Sequence, residues 1–216
     1  MTPATEDEPT IGDRYRNARE RLTAYLREQD ESAWERPVPA CPGWNVRDVL
    51  AHLVGVVEDS AAGLLSGPPG PDQTAVEVER HRENDPEQLL QAWTELAPRF
   101  EAAITANTVW PALIDVLSHE HDIRGALGSV DHRDHPDLRR VAELLRGGLP
   151  DVRISFGEDG DDPSRLRLRT DRFEFFRLRL GRRSRRQVER LDWSTEPGPL
   201  LDALFVFGPA EIDIVE

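Results

Sequence analysis

The chain has 216 residues, of which 38% are hydrophobic and 31% charged, and its formal net charge at pH 7 is -14. This length and composition are typical of one large or two small globular domains. The acidic balance argues against binding of nucleic acid, because phosphate contacts require a positive surface. No apolar run approaches the roughly 18 residues of a membrane span, so no membrane association is predicted.

The only cysteine, Cys41, excludes an internal disulfide, as in proteins of a reducing compartment. The first residues, MTPATEDEPTIGD, contain neither the basic nor the apolar segment of a secretion signal. We therefore expect a cytoplasmic protein. Cys41 precedes a helix N-terminus, which lowers the pKa of a thiol. No base lies near it in sequence, however, and we favour an inert loop cysteine over a catalytic one.

Helical periodicity dominates the first part of the chain, where apolar residues recur at spacings of three and four. It predicts helices at about 11–29, 46–65, 86–104, 110–127 and 136–147. Asn45 and Asp85 are predicted N-caps of the second and third of these helices. Gly128 is the predicted end of the fourth helix. Residues 74–82 show only a weak pattern.

The pattern changes near residue 150. Residues 152–156 and 165–169 alternate apolar and polar side chains around an acidic turn, which predicts a β-hairpin. Two short helices, a strand near Trp193 and an apolar helix at 197–207 are predicted to follow. The sequence thus predicts a mostly α protein, with an all-helical domain at 1–148 and a small α+β domain at 149–216.

Three side chains on two predicted helices form a candidate metal site. Asp115 and His119 lie four residues apart, on one face of a helix, where a carboxylate and an imidazole can bind one ion. A solvated charged face is the alternative interpretation of this stretch. His52 lies at the edge of another apolar stripe and supplies a third donor. Two histidines and a carboxylate are typical of catalytic zinc, although iron, nickel and manganese also accept these ligands.

Neighbouring residues have less defined predicted roles. His121 lies about 160° around the helix from His119 and is not expected to share the ion. Asp122 and Glu120 are candidates to orient the ligands, and Glu120 alternatively pairs with Arg124.

An arginine cluster covers residues 165–190, and we favour a solvated, ion-paired face as its interpretation. The functional alternative is that Arg182 or Arg183, which follow Gly181, bind a substrate carboxylate through two parallel hydrogen bonds.

Three stretches taken together carry a family resemblance. CPGWNVRDVLAHLVG at 41–55, DVLSHEHDIRGALG at 115–128 and the tail at 171–216 resemble the maleylpyruvate isomerase family of mycothiol-dependent enzymes of actinobacteria. The resemblance covers nearly the whole chain. It implies a DinB-like four-helix bundle followed by a small, sterol-carrier-like α+β domain.

The resemblance also implies a site and a chemistry. The site is a divalent metal, usually zinc, held by His52, Asp115 and His119, with Asp115 in place of the glutamate of the best-known members. An open metal position binds a low-molecular-weight thiol, here mycothiol, and lowers its pKa. The thiolate then serves for cis–trans isomerisation of, or S-transfer to, a small electrophilic substrate.

Two other hypotheses remain at this stage. One is a metal-dependent hydrolase that activates water, with Glu120 or Asp48 as the base. The other is a non-enzymatic protein that binds a small ligand in an apolar pocket of the second domain. The sequence leaves both a monomer and a homodimer open.

Overall fold

The computed structural model describes residues 8–149, 152–157 and 166–216. The chain divides into two units, Met1–Leu127 and Gly128–Glu216. Among the helices of the described residues, none combines the length and the apolar character needed to cross a bilayer. The predicted class, a helical bundle followed by a small α+β part, is confirmed.

The described part of the first unit is helical. Its elements are α1 (Ile11–Arg27), α2 (Val46–Ala61), α3 (Pro71–Arg80), α4 (Pro86–Asn107) and α5 (Trp110–Ala126). Helices α1, α2, α4 and α5 pack as a bundle, in which α1 and α2 both contact α4 and α5, and α3 lies against α2. The bundle helices each bury large apolar side chains, among them Leu22, Leu50, Trp93 and Leu113.

Side-chain caps set where the helices begin. The side chains of Thr10, Asn45 and Asp85 each accept a hydrogen bond from the backbone three residues later, and the residue at that position bonds back to the cap. Such a cap stabilises a helix by about 1 kcal/mol. The starts predicted at Asn45 and Asp85 are confirmed, and they fix which side chains of α2 and α4 face the core.

Helix α3 forms where the sequence showed only a weak pattern. Of its side chains, Glu77 is completely buried, while Gln73 and Arg80 hydrogen-bond to Asp59 of α2. A Cβ atom at Gly55 would lie 2.5 Å from the Cβ of Glu77, so glycine is what permits this close approach of α3 to α2. Tertiary contacts of this kind, rather than an apolar stripe, stabilise α3.

The second unit combines short helices with a small sheet. Its elements are α6 (Pro136–Arg146), β1 (Val152–Ser155), β2 (Leu166–Arg169), α7 (Arg172–Arg179), α8 (Arg185–Glu189), β3 (Asp192–Trp193) and a 3₁₀ helix (Gly198–Leu204). The sheet order is β1-β2-β3, with β2 and β3 antiparallel. Ile154, Leu168, Phe175 and Leu178 lie in its core.

The hairpin prediction was wrong, because β1 and β2 pair in parallel with Val152 opposite Leu166. Alternation of apolar and polar residues indicates which face of a strand is buried but carries no information about strand direction. Most of the predicted acidic turn, residues 158–164, lies outside the described residues, as does Arg165 at the start of the predicted second strand. The apolar helix predicted at 197–207 is a shorter 3₁₀ helix.

The division between the units also lies earlier than the predicted position at 148/149. It follows Leu127, because α6 packs on α7 and its Ala142 belongs to the core around Phe175. Gly128 at this point has a left-handed backbone with φ of 76°, which ends α5 as predicted. Residues 128–148 therefore belong with the α+β part.

Candidate metal centre

His52 of α2 and Asp115 and His119 of α5 converge on one point. The Nε2 atoms of His119 and His52 lie 3.5 Å and 3.8 Å from the same oxygen, Oδ1 of Asp115. The two imidazole ring centroids are 5.0 Å apart. One ligand atom from each of the three residues lies within 4.8 Å of the other two. The three side chains that the sequence selected are thus brought together by the packing of α2 against α5.

The position of His52 follows from the start and the packing of α2. The Asn45 cap begins the helix, and Val49 and Leu53 on its apolar face have essentially no exposure. His52 is buried beside this face, with its ring 5.3 Å from that of Trp44. The imidazole is therefore enclosed by protein and directed at α5.

A buried carboxylate holds the far side of each imidazole. Nδ1 of His52 lies 2.7 Å from Oε2 of Glu77, and Nδ1 of His119 lies 3.0 Å from Oδ2 of Asp122. A carboxylate on Nδ1 fixes the ring orientation and the tautomer in which the Nε2 lone pair can bind a metal. Both Nε2 atoms consequently point toward Asp115.

The electrostatics of the three residues favour positive charge between them. Burial alone lowers the pKa of His119, but hydrogen bonds with Asp115 and Asp122 outweigh it and raise that pKa well above its ordinary value. Burial likewise lowers the pKa of His52, but hydrogen bonds with Asp115 and Glu77 outweigh it and raise that pKa above its ordinary value. Burial raises the pKa of Asp115, yet its bonds to both imidazoles hold that pKa far below the usual range. A divalent cation supplies the positive charge that protons otherwise provide.

The residues present fit a divalent metal such as zinc. Bond lengths of about 2.0–2.2 Å in a tetrahedral site separate neighbouring N and O ligands by roughly 3.3–3.6 Å. The observed separations of 3.5 Å and 3.8 Å come close to this range. Asp115, although shorter than a glutamate, reaches both imidazoles. Its side chain keeps 28% of its exposure, which leaves an approach to the site for a fourth ligand.

Cys41 lies beside His119, on the side opposite Asp115. Its Sγ is 3.4 Å from Oδ2 of Asp122 and 3.8 Å from Nδ1 of His119. The sequence showed no base near this cysteine, because the imidazole and the carboxylate are some 80 residues away and belong to α5. These three side chains form a second group with metal-ligating spacing among the described residues.

Other residues considered at the sequence level lie outside both groups. Glu120 accepts hydrogen bonds from Arg21 of α1 and from Arg124, so its predicted pairing with Arg124 is confirmed. The side chain of Asp48 accepts a hydrogen bond from the backbone N–H of Asn45 and so completes the cap of α2. His121 is buried but belongs to neither group, as expected from its place on the helix. The two bases considered for a hydrolase are thus engaged in structural contacts.

Arg182 and Arg183 lie in the second unit. Arg183 is buried and donates to both carboxylate oxygens of Glu174, to Glu216 and to the carbonyl oxygen of Arg182. Arg182 donates to the carbonyl oxygen of Leu180. These contacts favour a structural role for Arg183. The binding of a substrate carboxylate by either residue stays a prediction.

Glu77 is the functional candidate that the sequence did not reveal. It lies on a short helix without an apolar stripe, 25 residues from the histidine that it contacts. One glutamate among the acidic residues of 77–87 has no distinguishing local signal. Asp122, three residues after His119, was recognisable as a ligand-orienting candidate because it shares the helix.

Comparison with known proteins agrees with this architecture. The model of the mycothiol maleylpyruvate isomerase N-terminal domain family matches residues 15–123, about half of the chain. A crystal structure of a histidine-to-alanine mutant of the mycothiol-dependent maleylpyruvate isomerase is similar in fold, with a TM-score of 0.56 and 14% sequence identity. The similarity covers 88% of this chain and 93% of that chain. No curated protein sequence matches the chain.

Proposed function

The chain belongs to the mycothiol maleylpyruvate isomerase N-terminal domain family, and we propose that it is a metal-dependent enzyme that uses mycothiol on a small electrophilic substrate. The reaction is cis–trans isomerisation of the maleylpyruvate type, or S-transfer of the same thiol to an electrophile. One observation carries this proposal: the Nε2 atoms of His52 and His119 converge on Asp115 while buried carboxylates hold both Nδ1 atoms.

We assign His52, Asp115 and His119 as the ligands of a divalent cation, with zinc as the expected ion. When bound, such an ion supplies a Lewis acid that lowers the pKa of a thiol in the open position. Glu77 and Asp122 orient the imidazoles in advance, so that little reorganisation is needed. Burial of both imidazoles excludes water, while the partly exposed Asp115 faces the approach.

The isomerisation involves no net oxidation or reduction, because the thiolate that adds is released again. The thiolate of mycothiol adds to one carbon of the cis double bond, which forms a C–S bond and leaves a carbanion conjugated with the neighbouring carbonyl. The former double bond is now single and rotates. Loss of the thiolate then restores the double bond in the trans form. In S-transfer, the C–S bond remains in the product and the carbanion takes up a proton from solvent instead of expelling the thiolate.

The thiol mechanism is favoured over hydrolysis by the contacts of the candidate bases. Glu120 is held by Arg21 and Arg124, and Asp48 is held in the cap of α2. Among the described residues, neither Glu120 nor Asp48 belongs to the two groups of potential metal ligands that include His119.

Metal analysis combined with a thiol-dependent assay tests the proposal. We expect the purified protein to bind one zinc ion at the assigned ligands, to lose it to a chelator, and to turn over maleylpyruvate or another member of an electrophile panel only with mycothiol. His52→Ala should lose both the ion and the turnover. His132→Asn, a change at an exposed histidine of the second unit, should lose neither.

Two outcomes would contradict the proposal in different ways. Metal-loaded protein that fails to bind mycothiol but hydrolyses an ester or amide panel supports the hydrolase. Folded protein that binds no divalent metal, and whose stability is unchanged by His52→Ala or His119→Ala, excludes both enzymatic hypotheses and leaves a ligand-binding protein.

A further inference from the structure

A second set of donor atoms lies on the far side of His119 from the proposed metal ligands. It consists of Sγ of Cys41, Nδ1 of His119 and Oδ2 of Asp122. The Sγ–Nδ1 distance is 3.8 Å, the Sγ–Oδ2 distance is 3.4 Å and the Nδ1–Oδ2 distance is 3.0 Å. All three residues are buried. The chemistry proposed above uses Nε2 of this ring and assigns no role to the thiol.

The spacing of these atoms suits a tetrahedral cation. Bonds of about 2.3 Å to sulfur and about 2.0–2.2 Å to nitrogen and oxygen separate the ligand atoms by roughly 3.3–3.7 Å. The three observed distances, 3.0–3.8 Å, span that range. To bind one ion, the Nδ1–Oδ2 distance of 3.0 Å must lengthen and the Sγ–Nδ1 distance of 3.8 Å must shorten.

The loop that carries Cys41 is fixed by its own backbone. Pro37 and Asn45 form an antiparallel bridge, and the N–H of Val38 donates to the carbonyl oxygen of Trp44. The N–H of Cys41 donates to Val38, and its carbonyl oxygen accepts from Trp44. The thiol is therefore held opposite α5 by a turn that does not depend on the side chain itself.

We propose that Cys41, His119 and Asp122 form a second cation site, which shares the His119 ring with the first site and selects thiophilic ions. A thiolate together with an imidazole and a carboxylate favours zinc, cobalt or cadmium over magnesium or calcium. The first set contains nitrogen and oxygen donors without sulfur. Binding at the second site displaces the thiol proton and the Nδ1 proton of His119 to solvent.

Occupation of the second site acts on the first through the shared ring. The ion takes up Asp122 and replaces the Nδ1 proton, so the His119 ring loses its orienting hydrogen bond and bridges two cations that repel each other. We therefore expect excess thiophilic metal to inhibit the enzyme. This consequence rests on the proposed function, whereas the existence of the second site does not.

Titration of the metal-free full chain with Co²⁺ tests the site, with absorption spectra and equilibrium dialysis as readouts. Cys41 is the one cysteine of the chain, so an intense sulfur-to-cobalt charge-transfer band reports on it. We expect two ions per chain, with the band growing in as the second ion binds. Cys41→Ser should remove the band and one ion, and His52→Ala should retain the band and lose the other ion.

The possible results separate the two proposals. A single Co²⁺ ion without the band overturns the second site and leaves the first. A band that His52→Ala abolishes makes Cys41 a ligand of the first ion and also overturns the second site. The band with no mycothiol-dependent turnover supports the second site and contradicts the proposed function. Circular dichroism of each variant, with Cys41→Ala and His52→Gln as second substitutions, establishes that loss of a band is not loss of the fold.

Discussion

The two units bury charged side chains in different arrangements. In the second unit, Arg183 donates to Glu174 and Glu216, and Arg177 also pairs with Glu216. In the first unit, Asp115 faces two imidazoles, each of which is held from behind by another carboxylate. The arginines form closed ion pairs, that is, pairs with their charges satisfied within the protein. The two histidines instead direct their Nε2 atoms at one oxygen of the partly exposed Asp115.

This difference separates charges that are fully paired within the protein from charges that suit the proposed metal site. A guanidinium has five N–H donors, and Arg183 makes five hydrogen bonds within the protein. It has none left for a ligand without breaking one of these bonds. In His52 and His119, a carboxylate holds Nδ1 while Nε2 faces Asp115. The first unit therefore presents two ring nitrogens, as possible metal ligands, at one defined point.

The largest expected effect is at the shared ligand. His119→Ala removes a donor from both proposed cation sites, and we expect complete loss of bound metal and of mycothiol-dependent turnover. Metal content by atomic absorption and turnover with mycothiol measure this loss. Retention of one metal ion per folded chain after this substitution would disprove the assignment of His119.

Arg183→Met tests the closed ion pairs of the second unit. It removes this partner from Glu216 and Glu174, whose side chains are 4% and 24% exposed. Removing one member of a buried ion pair costs about 3 kcal/mol of unfolding free energy. Urea denaturation measures the change. Arg186→Met, at an exposed pair with Asp213, is the control and should change the unfolding free energy much less, because solvent screens an exposed ion pair. Metal content should be unchanged in both variants.

A different result for Arg183→Met would revise the comparison. If stability is kept while KM for a carboxylate-bearing substrate rises, Arg183 binds substrate, as the sequence suggested for Arg182 and Arg183. In that case the closed ion pairs of the second unit open during the reaction.

Glu77→Ala should have an intermediate effect. Loss of the hydrogen bond to Nδ1 of His52 frees the ring to rotate, and loss of such an orienting partner typically weakens metal affinity about 10–100-fold. Competition with a chromogenic chelator measures the affinity. Glu79→Ala, on the exposed side of the same helix, is the matched control. Equal affinities in the two variants would show that α3 plays no part in the site.

The smallest effect is expected for Asp115→Glu. Oδ1 of Asp115 already lies at ligand spacing from both imidazoles, so the longer side chain should retain the ion, with an affinity within about tenfold of the parent, a difference of about 1.4 kcal/mol. Asp115→Asn removes the negative charge and should weaken binding more. If the glutamate variant binds metal far more tightly, the aspartate does not reach the ion as proposed.

Features that depend on contacts between residues close in the sequence were predictable, whereas features that depend on contacts between distant residues were not. Helix starts at Asn45 and Asp85 and the helix stop at Gly128 depend on contacts within one turn, and they were recognisable. The pair Asp115 and His119 was recognisable for the same reason. Helix α3 and the parallel pairing of β1 with β2 depend on residues distant in the chain, and the sequence pattern did not reveal them.

The sequence by itself determined the helical bundle, its caps and the chemical types of the proposed ligands His52, Asp115 and His119, because side-chain chemistry and helical period are local properties. Only the tertiary structure decided that Glu77 holds His52 and that Cys41 lies against His119. Both contacts require a loop or a short helix to pack against a distant element. The free energy of that packing comes from burial across the whole unit, and no short stretch of sequence encodes it.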